Sequence, residues 1–210
     1  ILLEKDTLFM HANKFISQQK ANKKKILAYN KVKFFKTDLQ GKCDSLSYTF
    51  NNLTIEMFNY PILWSNEYQI TADSLKLLLI KGKIDRMFLN PNPMIIAQKD
   101  SLDYNQIKGK NITSYFSDNK IRKMDIEGNG QSIFIVTDEA TNDKIGLNYT
   151  ICTNMTLYFQ NNKLDIVNYE IKPNSTTIPY SDIQEEDRYL KGFNWRGPEQ
   201  PINKMDIFSE

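Results

Sequence analysis

Ile70-Thr71-Ala72-Asp73-Ser74-Leu75-Lys76-Leu77 repeats the pattern of Gly41-Lys42-Cys43-Asp44-Ser45-Leu46-Ser47-Tyr48, twenty-nine residues upstream. Weaker copies surround Met10-His11-Ala12, Ile107-Lys108-Gly109 and Cys152 to Met155. With the small residue as anchor (Ala12, Cys43, Ala72, Gly109, Cys152) the steps are 31, 29, 37 and 43 residues. A step of roughly thirty residues that drifts only with loop length indicates a solenoid or a rolled sheet of stacked hairpins.

The segments between anchors read as strands. Thr54-Ile55-Glu56-Met57-Phe58 alternates apolar and polar, reaches a turn at Asn59-Tyr60-Pro61, and continues through Ile62-Leu63-Trp64 to the next anchor. Period-two alternation with β-branched and aromatic residues marks half-buried strands. The same plan recurs around Asn30-Lys31, Asn90-Pro91-Asn92-Pro93 and Gly128-Asn129-Gly130, residues suited to turn geometry. Asp44-Ser45 and Asp73-Ser74 are expected to hold a bend by bonding nearby backbone N–H groups. Asp100-Ser101-Leu102 is out of phase with the repeat and reads as a loop. No helical period appears before residue 180. The expected architecture is therefore all-β, an elongated stack of antiparallel strands over residues 1–178, followed by a short irregular tail over residues 179–210. In the tail Ile183 to Leu190 is expected to form a short helix capped by Asp182, and Phe193, Trp195 and Phe208 to pin the segment to the sheet or to a neighbouring chain.

Composition narrows the function. The 210 residues are 40% hydrophobic and 12% aromatic, enough for a core. With 27 basic against 25 acidic residues there is no concentrated positive charge of the kind nucleic-acid binders carry. Lys20, Lys23, Lys24 and Lys25 read as a solvated hairpin loop. No apolar run approaches the ~20 residues a membrane-spanning helix needs. Ile1-Leu2-Leu3-Glu4-Lys5-Asp6 lacks the features of a signal peptide. The chain starts within a repeat and without a polar cap, so its first strand is expected to be an exposed edge, continued by a longer protein or by a docked neighbour.

Neither cysteines nor histidine suggest chemistry. Cys43 and Cys152 occupy equivalent anchors about three strand spacings apart, roughly 14 Å, whereas a disulfide requires Cα atoms within about 7 Å; both are expected reduced and buried. His11, the one histidine, has no Cys or Asp pattern beside it for a triad or a metal site. Glu185-Glu186-Asp187 reads as a solvated face, and the Asn-x-Ser/Thr sites at Asn52, Asn111 and Asn154 are expected by chance in an Asn-rich chain. No catalytic residue, metal or cofactor is expected.

Over residues 8–178 the alternation of turn, apolar strand and Ala-Asp-Ser-Leu corner resembles the organic-solvent-tolerance (OstA-like) family, which includes LptA, LptC and the N-terminal part of LptD. The family's Gly-Asn-Val turn corresponds to Asn30-Lys31-Val32, Tyr60-Pro61-Ile62 and Gly128-Asn129-Gly130, and Leu190-Lys191-Gly192-Phe193-Asn194-Trp195 resembles the ending of its longer branch. The resemblance implies an LptA-like β-jellyroll with an open seam, located in the periplasm. It also implies an apolar interior that takes the acyl chains of lipopolysaccharide or another acylated lipid, end-to-end strand pairing with sister jellyrolls, and no catalytic residues. On this reading the inward lining consists of Val32, Phe34, Leu46, Met57, Ile62, Trp64, Leu75, Leu77, Leu89, Met94, Ile96, Ile112, Ile133, Ile135, Met155 and Leu157. The alternative is a structural adaptor that pairs through exposed strand edges and carries no lipid.

Overall fold

The computed structural model describes residues 2–3, 6–20 and 23–208. Ile1, Glu4-Lys5, Ala21-Asn22, within the lysine-rich stretch, and Ser209-Glu210 lie outside the described residues. Strands run β1 Leu2–Leu3, β2 Asp6–Thr7, β3 Phe9–His11, β4 Lys14–Lys20, β5 Lys23–Lys36, β6 Leu39–Thr49, β7 Thr54–Phe58, β8 Ile62–Ser65 and β9 Tyr68–Thr71. They continue as β10 Ser74–Ile80, β11 Lys83–Asn90, β12 Met94–Gln98, β13 Tyr104–Lys108, β14 Asn111–Ser117, β15 Lys120–Thr137, β16 Lys144–Gln160, β17 Lys163–Glu170 and β18 Asn174–Pro179. All but β1 and β2 belong to one antiparallel sheet of 16 strands.

That sheet is folded lengthwise into two walls. The first follows the order β4, β5 (its N-terminal half), β6 (C-terminal half), β7, β10, β11, β14, β15 (N-terminal half), β16 (C-terminal half), β17. The second follows β3, β5, β6, β8, β9, β12, β13, β15, β16, β18, using the other halves of the long strands. The chain passes the fold line at each sequence anchor and again at each intervening turn, so the thirty-residue repeat is one circuit of both walls.

The two kinds of crossing differ in geometry. Four turn crossings carry paired left-handed residues: Asn30 and Lys31 at φ 61° and 53°, Asn59 and Tyr60 at 60° and 57°, Gly128 and Asn129 at 72° and 52°, Ile171 and Lys172 at 60° and 56°; the crossing from β11 to β12 carries one, Asn92 at 55°. Asn and Gly tolerate this region because their side chains clash least there. Where the long strands pair, Asn30-Lys31 lies opposite the single residue Asp44, and Gly128-Asn129 opposite Thr153. Two residues facing one is a β-bulge, which bends the strands sharply. At these two crossings the fold line is a bulge.

The Asp-Ser corners work across the fold line and not through their own backbone, as the sequence suggested. Asn59 Nδ2 donates to Asp44 Oδ2 at 3.2 Å and Asn92 Nδ2 to Asp73 Oδ2 at 2.9 Å, while Ser74 Oγ donates to the Asn90 carbonyl at 2.6 Å. These two corners are therefore buttoned to the left-handed turn of the next crossing. Asp100 caps its own loop, accepting from the Leu102 and Asp103 N–H groups at 2.9 Å.

After β18 no α-helix forms among the described residues. The expected helix over 183–190 is instead a single 3-10 turn, Glu185–Arg188, with a capping box from Gln184 and Asp187 and not from Asp182. Its continuation is blocked because Gln106 takes both the Arg188 carbonyl and the Leu190 N–H, groups a helix would need for itself. The rest of the tail crosses the outer side of the second wall as a strap. It starts beside β18 and ends at β3, where Ile207 is buried and Phe208 meets the His11 ring edge-on at 5.3 Å. Cys43 and Cys152 are both free and buried, and burial pushes the Cys43 thiol up to about 12.

Candidate functional site

Between the walls lies an apolar groove of about 540 Å³. Its floor on the first wall comes from Leu77, Leu79, Ile84, Met87, Met124, Leu157 and Phe159, and on the second from Leu63, Ile70, Ile95, Ala97 and Ile107. These residues face one another because cross-strand neighbours share a face. Leu77 is opposite Met87, Met124 opposite Leu157, Leu63 opposite Ile70, and Ile70 opposite Ile95. The groove opens where the hairpins end, and that mouth is polar: Lys36, Asp38, Asn66, Glu67 and Lys99 stand on one rim, Asn119, Asn162 and Lys163 on the other. Tyr68 lies in the lining, and burial pushes its phenol up to about 12, so it remains a hydroxyl donor at neutral pH. An apolar trough with a charged lip is chemically suited to an amphiphile. Among the described residues no group of three or more His, Cys, Asp or Glu side chains is placed to hold a metal ion.

The lining expected from sequence divides into three parts. Leu77 and Leu157 line the groove. Val32, Phe34, Leu46, Met57, Leu75, Leu89, Ile112 and Met155 point into the same interior but belong to its packed core. Phe34 is sealed against Gly41, where an added Cβ would come within 2.5 Å of the Phe34 ring and 2.9 Å of the Ile62 carbonyl.

Ile62, Trp64, Met94, Ile96, Ile133 and Ile135 are on the opposite side of the second wall. Met94, Ile96 and Ile133 form a separate cluster with Tyr104, Leu147 and Leu190, with Ile135 packed at its margin. Trp64 shares that side through its register with Gln69, itself opposite Ile96, and Ile62 does so through Thr71, itself opposite Met94. The correction has a structural cause. The turn crossings conserve the inward parity, from Met57 to Leu63 and from Met87 to Ile95, whereas the anchors shift it, from Ile70 to Leu75. In Ile62-Leu63-Trp64 and Met94-Ile95-Ile96-Ala97 the run is apolar throughout, which is the pattern of a strand buried on both faces.

What covers that outer face is the strap, and its anchors are three buried glutamines. Gln106 Nε2 donates to the Arg188 carbonyl at 2.6 Å and its Oε1 accepts from the Leu190 N–H at 2.8 Å. Gln69 Nε2 donates to the Asn194 carbonyl at 2.7 Å and its Oε1 accepts from the Arg196 N–H at 2.6 Å. Gln40 Oε1 accepts from Gln200 Nε2 at 2.7 Å. A glutamine side chain presents one donor and one acceptor, as a backbone amide does, so it can pair with an extended segment running across the strands. All three stand three residues before an anchor, ahead of Cys43, Ala72 and Gly109. This periodic signal was readable in the sequence.

Aromatic and ionic contacts complete the seal. Tyr104 packs against Phe193 and Trp195, with ring centroids 5.1 and 5.4 Å away. Asp103, 1% exposed, accepts from Tyr180 Oη at 2.6 Å and Lys144 Nζ at 2.6 Å, and pairs with Arg188. The Lys144 ammonium beside Asp100, with the Leu102 N–H, holds the Asp100 carboxyl at about 2. Further along, Arg196 and then Lys42 hold Glu199 at about 2.

No family model matches the chain, and no curated protein matches it. Among solved structures the fold is similar to that of LptH, the LptA-homologous periplasmic component of the lipopolysaccharide transport device of Pseudomonas aeruginosa. The TM-score is 0.50 at 11% identity, and the match covers 67% of this chain and 93% of that one. The likeness is one of fold, an all-β LptA-like jellyroll.

Proposed function

We propose that the chain is a periplasmic, non-enzymatic component of lipopolysaccharide transport whose groove holds acyl chains. The observation that carries this reading is the apolar trough of about 540 Å³ beneath a charged lip, set inside an LptA-like jellyroll. Burying apolar chain there removes it from water at about 25 cal/mol per Å², while the lysines of the lip remain available to the polar part of the same molecule. Partnership with other jellyrolls is part of the proposal. Among the described residues β4 and β17 end the first wall, each pairing there with one strand, β5 and β16 respectively, and strand edges of this kind are templates for strand addition.

The test is binding of purified rough lipopolysaccharide by the full chain, by Leu79→Arg inside the groove and by Lys76→Glu on the outer side of the first wall. Leu79→Arg is expected to lower binding at least about tenfold and Lys76→Glu to leave it unchanged. Equal binding by all three proteins would refute the groove as the lipid site and leave the strand-pairing adaptor.

A further inference from the structure

On the inner faces of the walls Ser114, Ser132 and Thr150 are each 0% exposed. Ser132 follows the groove-lining Ile107 in register, and Thr150 follows Ser132. Both of these hydroxyls are satisfied within the protein. Ser132 Oγ is 3.3 Å from Tyr169 Oη, while Thr150 Oγ1 is 2.8 Å from Ser175 Oγ and donates to Asn148 Oδ1 at 2.9 Å. Ser114 Oγ has no hydrogen-bond partner. Among the described residues two other buried side-chain polar atoms lack one, Ser47 Oγ and Trp64 Nε1. Their residues belong to the outer faces: Ser47 is opposite Glu56 on the first wall, and Trp64 is opposite Gln69 beneath the strap.

The position of Ser114 gives its hydroxyl a meaning. It stands directly opposite Met87 on one side and Met124 on the other, and cross-strand neighbours share a face. Both methionines line the groove, as do Leu77 and Leu157 beyond them in the same row. The serine is thus the centre of a row that is otherwise apolar. Methionine is unbranched and turns readily about its bonds, so an incoming chain can move the flanking thioethers aside. Ser114 is three residues from Ser117, where β14 ends at the groove mouth, a depth of about 10 Å. A hydroxyl buried without a partner costs free energy, which is recovered when a ligand group pairs with it. A plain hydrocarbon chain offers no such group, whereas a hydroxylated chain both donates and accepts.

Building on the lipid-holding role proposed above, we infer that Ser114 selects the chain: the groove prefers an acyl chain carrying a hydroxyl within its length, and Ser114 Oγ bonds that hydroxyl. Without the serine the same substituent would be desolvated unpaired, which is unfavourable.

Displacement of a pyrene-labelled fatty acid from the full chain tests this with two pairs of acids. β-Hydroxymyristic acid is compared with myristic acid, and a mid-chain hydroxystearic acid with stearic acid. The native protein is expected to bind the better-placed hydroxy acid at least as tightly as its parent. Ser114→Ala is expected to bind both parent acids within about twofold of the native protein and that hydroxy acid about tenfold more weakly, the loss of one buried hydrogen bond. Undiminished binding of the parent acids also reports that the groove is intact. Ser132→Ala, whose hydroxyl is already paired with Tyr169, should change neither hydroxy-to-parent ratio. Ratios in Ser114→Ala equal to the native ones for both pairs would overturn the inference while leaving the lipid-holding role standing, and so would an equal shift in Ser132→Ala. No displacement from the native protein by any of the four acids would overturn both.

Discussion

The second wall has two apolar faces with opposite fates. Its inner face, Leu63, Ile70, Ile95 and Ile107, borders an open groove; its outer face, with Met94, Ile96 and Ile133, is sealed by the strap. The residues are of the same types, often adjacent in the chain, and nearly all are buried. What separates them is the covering layer: on one side a second wall standing off, on the other a segment anchored by glutamine amides and aromatic rings. The first wall makes the contrast sharper. In β10 burial alternates regularly, with Leu75, Leu77 and Leu79 buried against exposed Lys76 and Ile80. A strand that alternates has one solvated side, and a strand that is apolar throughout calls for a second layer.

The largest effect should come from placing a charge on each face in turn. Ile96→Arg puts a guanidinium beneath the strap with no carboxylate opposite it, and its cost is expected at about 3–5 kcal/mol. Leu79→Arg lies near the groove mouth, where a long side chain can reach water, so its cost should be about 2 kcal/mol, the lost burial of one leucine. Chemical denaturation of both variants gives the comparison. Equal losses would mean that the groove is a closed core.

A smaller effect is expected at the glutamine anchors. Gln69→Leu and Gln106→Leu each leave a strap carbonyl and a strap N–H unpaired, expected at about 2 kcal/mol, or about 4–8 °C in Tm for a chain of this size. Tryptic cleavage at Arg188, Lys191 and Arg196 should quicken in both. A strap as resistant as in the native protein would show that the aromatic contacts alone hold it.

The smallest effect is that of pH. Asp100 and Glu199 have folded-state values of about 2, below the ordinary carboxylate range, so the stability they contribute is complete above about pH 4.5 and is lost as the pH falls toward 2. Both side chains are about 40% exposed, which limits each contribution to under about 1 kcal/mol. Trp195 fluorescence should be constant from pH 7 to 5 and change between about 4 and 2. A change already complete at pH 5 would assign the strap's acid sensitivity to other groups.

Much of this organisation is legible in the sequence, and the exceptions share one cause. The anchors Ala12, Cys43, Ala72, Gly109 and Cys152 all fall on the fold line, and with the Asn- and Gly-rich turns they define the circuit of strands, because small residues and left-handed backbone are local requirements. Which side of a strand faces the groove is not local. It depends on whether a crossing shifts the parity, and Ile62-Leu63-Trp64, being apolar throughout, offers no contrast from which to read the phase. The strap was visible as an aromatic-rich tail, but its path rests on Gln40, Gln69 and Gln106, whose partners are 82 to 160 residues distant. The short helix expected over 183–190 yields for the same reason: tertiary hydrogen bonds claim its backbone.

Adjacent residues on β12 allow the most direct test of the central claim, that the groove and not the strap-covered face receives lipid. A photo-reactive phenylalanine analogue is placed at Ile95 in one protein and at Ile96 in another, and each is irradiated with rough lipopolysaccharide. The account predicts a covalent lipopolysaccharide adduct from position 95 and none from position 96. An adduct at 96 alone, equal adducts at both, or none at either would contradict it.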